Sequence, residues 1–82
     1  MSESSGAPDI EEIRIERASP FAGRRLSDVI QRDMMNVVVV GIQHAAGAME
    51  FNPVAGTVLN GGDHLIVLGS SQVLKELERA AK

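Results

Sequence analysis

The spacing of apolar positions changes along this chain, and each change predicts an element. In "IEEIRIER", Ile13 and Ile15 alternate with Arg14 and Glu16, the period of a half-buried strand. Pro20 and Gly23 punctuate the loop "ASPFAGRR" that follows. "LSDVIQRDM" carries Leu26, Val29, Ile30 and Met34 at helical spacing, which predicts a short amphipathic helix. Ser27 or Asp28 would accept from the amides of its first turn. "NVVVVGIQ" holds the valine run Val37–Val40. Branched side chains crowd a helix, and an unbroken apolar run suits a central strand covered on both faces. "HAAGA" reads as a turn. "MEFN" reads as a short strand with Met49 and Phe51 on one face, which Pro53 ends or confines to an edge. Val54, Val58 and Leu59 are apolar anchors in the connection beyond it.

"NGGD" is a turn, and "HLIVLG" is a strand. Leu65, Val67 and Gly69 face one way along it, Ile66 and Leu68 the other. "SSQVLKELERAAK" predicts a closing helix with Val73, Leu74, Leu77 and Ala81 as its apolar stripe and Ser70 or Ser71 as N-cap. The order is β-α-β-β-β-α, a small α+β sandwich spanning residues 10–82. Residues 1–9, rich in Ser, Gly, Pro and acid, read as a disordered leader or linker.

Composition narrows the picture. The 82 residues allow one small domain. A chain of this length hides only about 60–65 % of the surface it exposes when unfolded, so a second copy or a larger parent would add useful burial. Phe21 and Phe51 are its aromatics, so the core must be built from aliphatic residues and Met. Net charge is −3, from 8 basic and 11 acidic residues. That balance argues against nucleic-acid binding, and aromatic stacking platforms are missing as well. The absence of Cys excludes disulfides, thiol nucleophiles and Cys-based zinc sites. The longest apolar run, Val37 to Ile42 counting Gly41, is far short of the roughly 20 residues a membrane span needs. The polar, acidic start lacks the features of a signal peptide.

Candidate chemistry is sparse. A phosphate-binding glycine loop must follow a strand and open a helix, whereas Gly61 and Gly62 precede a strand. Asn60-Gly61 suits left-handed turn geometry instead. Gly69-Ser70-Ser71 does join a strand to a helix, where helix capping is the plainer role. Asp63 is a candidate metal ligand or catalytic acid; bracing its own turn is the favoured alternative. His44 directly follows a strand and is either a ligand contact or a solvated loop residue, and His64 sits half exposed at a strand start. The two do not form an H-x-x-x-H pair. Arg24-Arg25 would meet a phosphate or an acidic partner, or stay solvated. No serine has a G-x-S-x-G setting, and enzyme activity is not expected.

Three segments carry a family resemblance. "ASPFAGRRLSDV" resembles an S-x-x-x-G-x-x-L opening through Ser19, Gly23 and Leu26. "VVVVGIQHAAGAMEFNP" resembles a v-v-x-I-x-R-x-G segment followed by a strand and a proline. "TVLNGGDHLIVLGSSQVLKELERAA" resembles a closing t-x-l-x-x-G-D-x-L-x-v-x-G segment and helix, sharpest at Gly62-Asp63, Leu65 and Gly69. Together, from about Ile10 to Ala81, they resemble the C-terminal subdomain of RCK domains, the TrkA-C family.

The resemblance implies a small sandwich that pairs as a homodimer. In the family it follows a nucleotide-binding subdomain on the cytoplasmic, inner face of a potassium channel or transporter, where ligand binding biases gating. It implies a cyclic dinucleotide or a divalent cation as ligand. Contacts would come from Asn36 to His44 and from Asn52-Pro53, which singles out Asn36, Val38, His44, Asn52 and Pro53. Gly62, Asp63 and Gly69 would be structural turn residues. His44 stands where the family often has Arg, and the His44–Pro53 segment is slightly long. An Arg would clamp a phosphate in bidentate fashion, and a neutral His has no fixed charge. With no G-x-G-x-x-G, the chain reads as a fragment or a stand-alone copy. Two further readings stay open: a dimerisation scaffold without ligand, and an ACT-like amino-acid-binding domain, which would run β-α-β-β-α-β.

Overall fold

The structure, a computed structural model, describes residues 8–30 and 36–82. Its elements are β1 (Asp9–Arg14), α1 (Leu26–Val29), β2 (Val38–Gln43), β3 (Met49–Phe51), β4 (His64–Gly69) and α2 (Ser71–Ala80). The strands form one antiparallel sheet in the order β1-β4-β2-β3. The order of elements matches the α+β expectation, and a chain closing in a helix departs from the ACT-like order. The first strand begins at Asp9, one residue before the boundary drawn from composition. The expected helix is cut short: it ends at Val29, and Ile30 is already extended at φ −105° and ψ 103°. Residues 1–7 of the expected leader and residues 31–35, where Met34 would continue the helix, lie outside the described residues.

Register decides which side chains meet. Leu65 of β4 lies opposite Ile13 of β1 and Ile42 of β2, and Val67 lies opposite Val39. Alternation therefore puts Ile13, Ile42, Leu65 and Val67 on one face. Leu74, Leu77 and Ala81 of the closing helix join these residues in one buried core, with Ile15, Leu26, Val29, Ile30, Val37 and Leu59. A bulge between Val39 and Gly41 shifts the register in β2. Without it Ile42 would point outward, because a one-residue slip moves a side chain to the other face.

Three local expectations are corrected. The valine strand is central, between β4 and β3, but it is not covered on both faces. Val38 is 58 % exposed, Ile10 59 % and Phe51 73 %. Pairing places them with Met49, Ile66 and Leu68 on the sheet face opposite the core. Met49 and Phe51 do share a face, and it is this open one. Neither Ser27 nor Asp28 caps α1. Arg25 is its N-cap and makes no side-chain capping bond. The amides of Leu26 and Ser27 donate instead to the carbonyls of Thr57 and Ala55, brought alongside by the β3–β4 connection. The left-handed residue of the turn before β4 is Gly62, at φ 92°, not the Asn60-Gly61 pair. The Asp63 amide donates to the Asn60 carbonyl, which makes Gly62 the third residue of the turn, and its positive φ is the one a type II turn takes there. At the closing helix the alternatives resolve to Ser70, whose hydroxyl accepts from the Val73 amide.

Candidate functional site

The side-chain chemistry concentrates at the end of β2. His44 follows the strand directly, and its amide donates to the Ala48 carbonyl across the β2–β3 turn. In β3, Glu50 pairs with Ile42 and so turns toward the core side of the sheet. Asp63 enters from the turn before β4. The His44 ring lies between the two carboxylates: Nε2 is 3.1 Å from Glu50 Oε1 and Nδ1 is 3.2 Å from Asp63 Oδ2.

Each carboxylate has further donors. The Ala45 amide donates to Asp63 Oδ1 and the Asn60 amide to Asp63 Oδ2, both at 3.1 Å. The Thr57 hydroxyl donates to Glu50 Oε2 at 3.3 Å. Asp63 is buried at 2 % exposure, and the His44 side chain keeps 26 %. Buried charge needs partners, and these backbone amides and the ring supply them.

The arrangement favours the imidazolium. Hydrogen bonding to Glu50 pushes the His44 pKa above the ordinary imidazole value; burial opposes this, and Asp63 adds to it. The carboxylates flank opposite edges of the ring, so they do not converge on a point where a cation would sit. Among the described residues no group of three or more His, Asp or Glu is arranged to hold a metal. His64 turns to the opposite sheet face, where Nδ1 meets Glu12 Oε2 at 2.8 Å.

The five candidate ligand residues spread along β2 rather than meet at one point. Asn36 precedes the strand and Val38 begins it, on the open face. His44 lies beyond the other end, roughly 20 Å from Val38 at strand rise. Asn52 is exposed beside the middle of β2, where its amide donates to the bulged Val40 carbonyl, and Pro53 is buried. Asn36 and Asn52 both adopt left-handed φ, 51° and 47°, a conformation Asn tolerates better than most residues. Of the turn residues, Gly62 has positive φ, Asp63 binds the ring, and Gly69 is packed against Val37.

Glu50 and Thr57 are members of the network that sequence reasoning missed. The only signal was alternation, and it misled. Met49 and Phe51 look like the residues to bury, which would send Glu50 to solvent. Elsewhere, a cavity of ≈ 250 Å³ lies between the helices, lined by Phe21, Val29, Val73, Leu77, Ala80 and, as its one charged group, Glu76.

A four-stranded antiparallel sheet with one helical layer and an open apolar face defines a small α+β module. The TrkA-C domain family model matches residues 10–82, and the chain belongs to that family. Among solved structures it is similar to the RCK_C domain dimer of S. agalactiae BusR in complex with c-di-AMP. That likeness has a TM-score of 0.75 at 21 % identity, over 87 % of this chain and 92 % of that one. It is similar to the RCK C domain of the potassium transport protein KtrA in complex with c-di-AMP, with a TM-score of 0.74 at 23 % identity, over 89 % and 82 % of the two chains. It is also similar to the GsuK channel bound to NAD, with a TM-score of 0.72 at 22 % identity; 95 % of this chain matches 14 % of that one. BusR in complex with its busAB-promotor DNA matches as well, with a TM-score of 0.74 at 21 % identity, over 98 % of this chain and 38 % of that one. No match is found among curated proteins. Among the described residues no helix is long and apolar enough to cross a membrane.

Proposed function

We propose that this chain is a regulatory domain that pairs with a second copy through the open face of its sheet. In this reading a small ligand held at that junction biases the state of a larger parent protein. The observation that carries it is the apolar sheet face formed by Ile10, Val38, Ile66, Leu68, Met49 and Phe51. Exposed apolar groups on adjacent strands mark an interaction surface. A second copy is the occupant because the BusR relative is an RCK_C domain dimer.

The candidate ligand is a cyclic dinucleotide, as in the BusR and KtrA complexes. Asn36, Val38 and Asn52 would meet it at the margin of the open face. His44 is left out of these contacts, because both its ring nitrogens are engaged by carboxylates. A ligand seated across two copies prefers one arrangement of them, and the parent follows by population shift. The parent class we favour is a potassium channel or transporter, with the domain on its cytoplasmic side. BusR on promotor DNA supports a second reading, a domain serving a DNA-binding regulator.

Sedimentation and thermal melting of this chain test the proposal together. A dimer at tens of micromolar is expected, a working range for interfaces of modest size. Addition of c-di-AMP is expected to raise the melting temperature, since a ligand at about 100 times its dissociation constant adds about 2.7 kcal/mol. A monomer at that concentration overturns the pairing. A dimer unmoved by cyclic dinucleotides, NAD and divalent cations overturns the ligand reading and leaves a dimerisation scaffold.

A further inference from the structure

We propose that His44 is a pH-responsive latch: its protonated ring ties edge strand β3 to the turn that enters β4, and loss of the proton releases Glu50. This stands on the geometry of the network and does not depend on the pairing or ligand proposed above.

The argument is one of donors and acceptors. Ionised carboxylates only accept hydrogen bonds. An imidazolium donates from both nitrogens and satisfies Glu50 and Asp63 together. A neutral imidazole keeps one N–H, so one carboxylate then faces a lone pair. The two carboxylates compete unequally for that proton. Asp63 is buried, and losing a donor there costs more than at an exposed site. The Glu50 side chain is 39 % exposed and can turn to water. The neutral ring therefore keeps its proton on Nδ1, toward Asp63, and lets Glu50 go.

The consequence falls on β3. It is three residues long, sits at the sheet edge and, among the described residues, pairs with β2 alone. Glu50 anchors its inner side to His44 and, through Thr57, to the connection that supports α1. Releasing Glu50 loosens the strand that carries Met49 and Phe51.

The surroundings leave control with this pair. From β3 the charged group facing the ring is Glu50, and from the β4 turn it is Asp63. On its own element His44 follows the uncharged Gln43, whose amide is engaged with the Gly47 carbonyl. His64 is bound to Glu12 on the opposite face, and Arg17 packs across Gly61 on the other side of the turn. The sign follows from a folded value raised above the unfolded one. The latch closes as pH falls below the raised folded value and opens as pH rises through it; the stability it lends is complete below about pH 6.5, the unfolded imidazole value.

The test is an NMR titration of the whole chain from pH 6 to 9, reading the His44 ring nitrogens and the Glu50 carboxyl carbon. A His44 midpoint above about 6.5 is expected, with a neutral Nδ1–H tautomer and a Glu50 carbon that moves with the same midpoint. In Glu50→Gln the midpoint is expected to fall, because the ring loses its charged partner at Nε2. In His44→Arg the Glu50 carbon is expected to stay still across the range. A midpoint at or below 6.5, a neutral Nε2–H tautomer, or a Glu50 carbon indifferent to the ring overturns the latch. The wild-type titration alone decides this should either variant fail to fold.

Discussion

Glu50 places its carboxylate 3.1 Å from His44 Nε2, while Met49 and Phe51 on either side of it face the opposite surface of the sheet. In β3 the acidic residue turns toward the core side and the apolar ones turn outward. That inversion leaves a charged network at one end of β2 and an apolar face uncovered, and the predictions follow from those two results.

Stability should depend on pH through His44. Its folded pKa is raised, so its contribution is complete below the unfolded value of about 6.5 and disappears as pH climbs through the folded one. Urea midpoints measured from pH 6 to 9 should decline for the wild type. For His44→Arg the decline should be smaller, because a guanidinium does not titrate in that range.

Asp63→Ala should cost about 2–4 kcal/mol in urea unfolding. It strips two backbone amides and a ring nitrogen of their acceptor in a buried turn. A loss below about 0.5 kcal/mol would mean that water replaces the carboxylate there.

Phe51→Glu should weaken self-association at least tenfold by sedimentation and leave the monomer fold intact by circular dichroism. Phe51 is the most exposed of the large apolar residues on the open face and is absent from the core. Unchanged association would place the interface elsewhere.

Gly69→Ala should destabilise by about 1–3 kcal/mol, because a Cβ there would lie 2.8 Å from Val37 Cγ1 in the packed core. Gly56→Ala serves as the control, since a Cβ at that position meets nothing within 4 Å. Equal melting temperatures for the two variants would count against the packing described for the end of β4.

Element order and the inner apolar stripe were legible in the sequence. Leu65 and Val67, or Leu74 and Leu77, declare their element through spacing between near neighbours, and spacing is a local property. Asp63 was visible as a residue of the β4 turn, and His44 as a residue at a strand end. Their contact was not, because 19 positions separate them and only the pairing of β2 with β4 brings them together.

The sequence by itself therefore determined the order β-α-β-β-β-α and the residues able to form a core. The tertiary structure decided which of two apolar sheet faces is covered, since Val38, Ile66, Leu68 and Phe51 are as hydrophobic as the residues that were buried. It also decided that Glu50 turns inward, that backbone carbonyls at Ala55 and Thr57 receive the start of α1, and that one ring joins two carboxylates. The physical reason is common to all of these. The open face, the inward turn of Glu50 and the shared ring depend on sheet register and on a bulge at Val40, and the start of α1 depends on where the β3–β4 connection runs; all are contacts between segments whose separation in sequence carries no periodic signal.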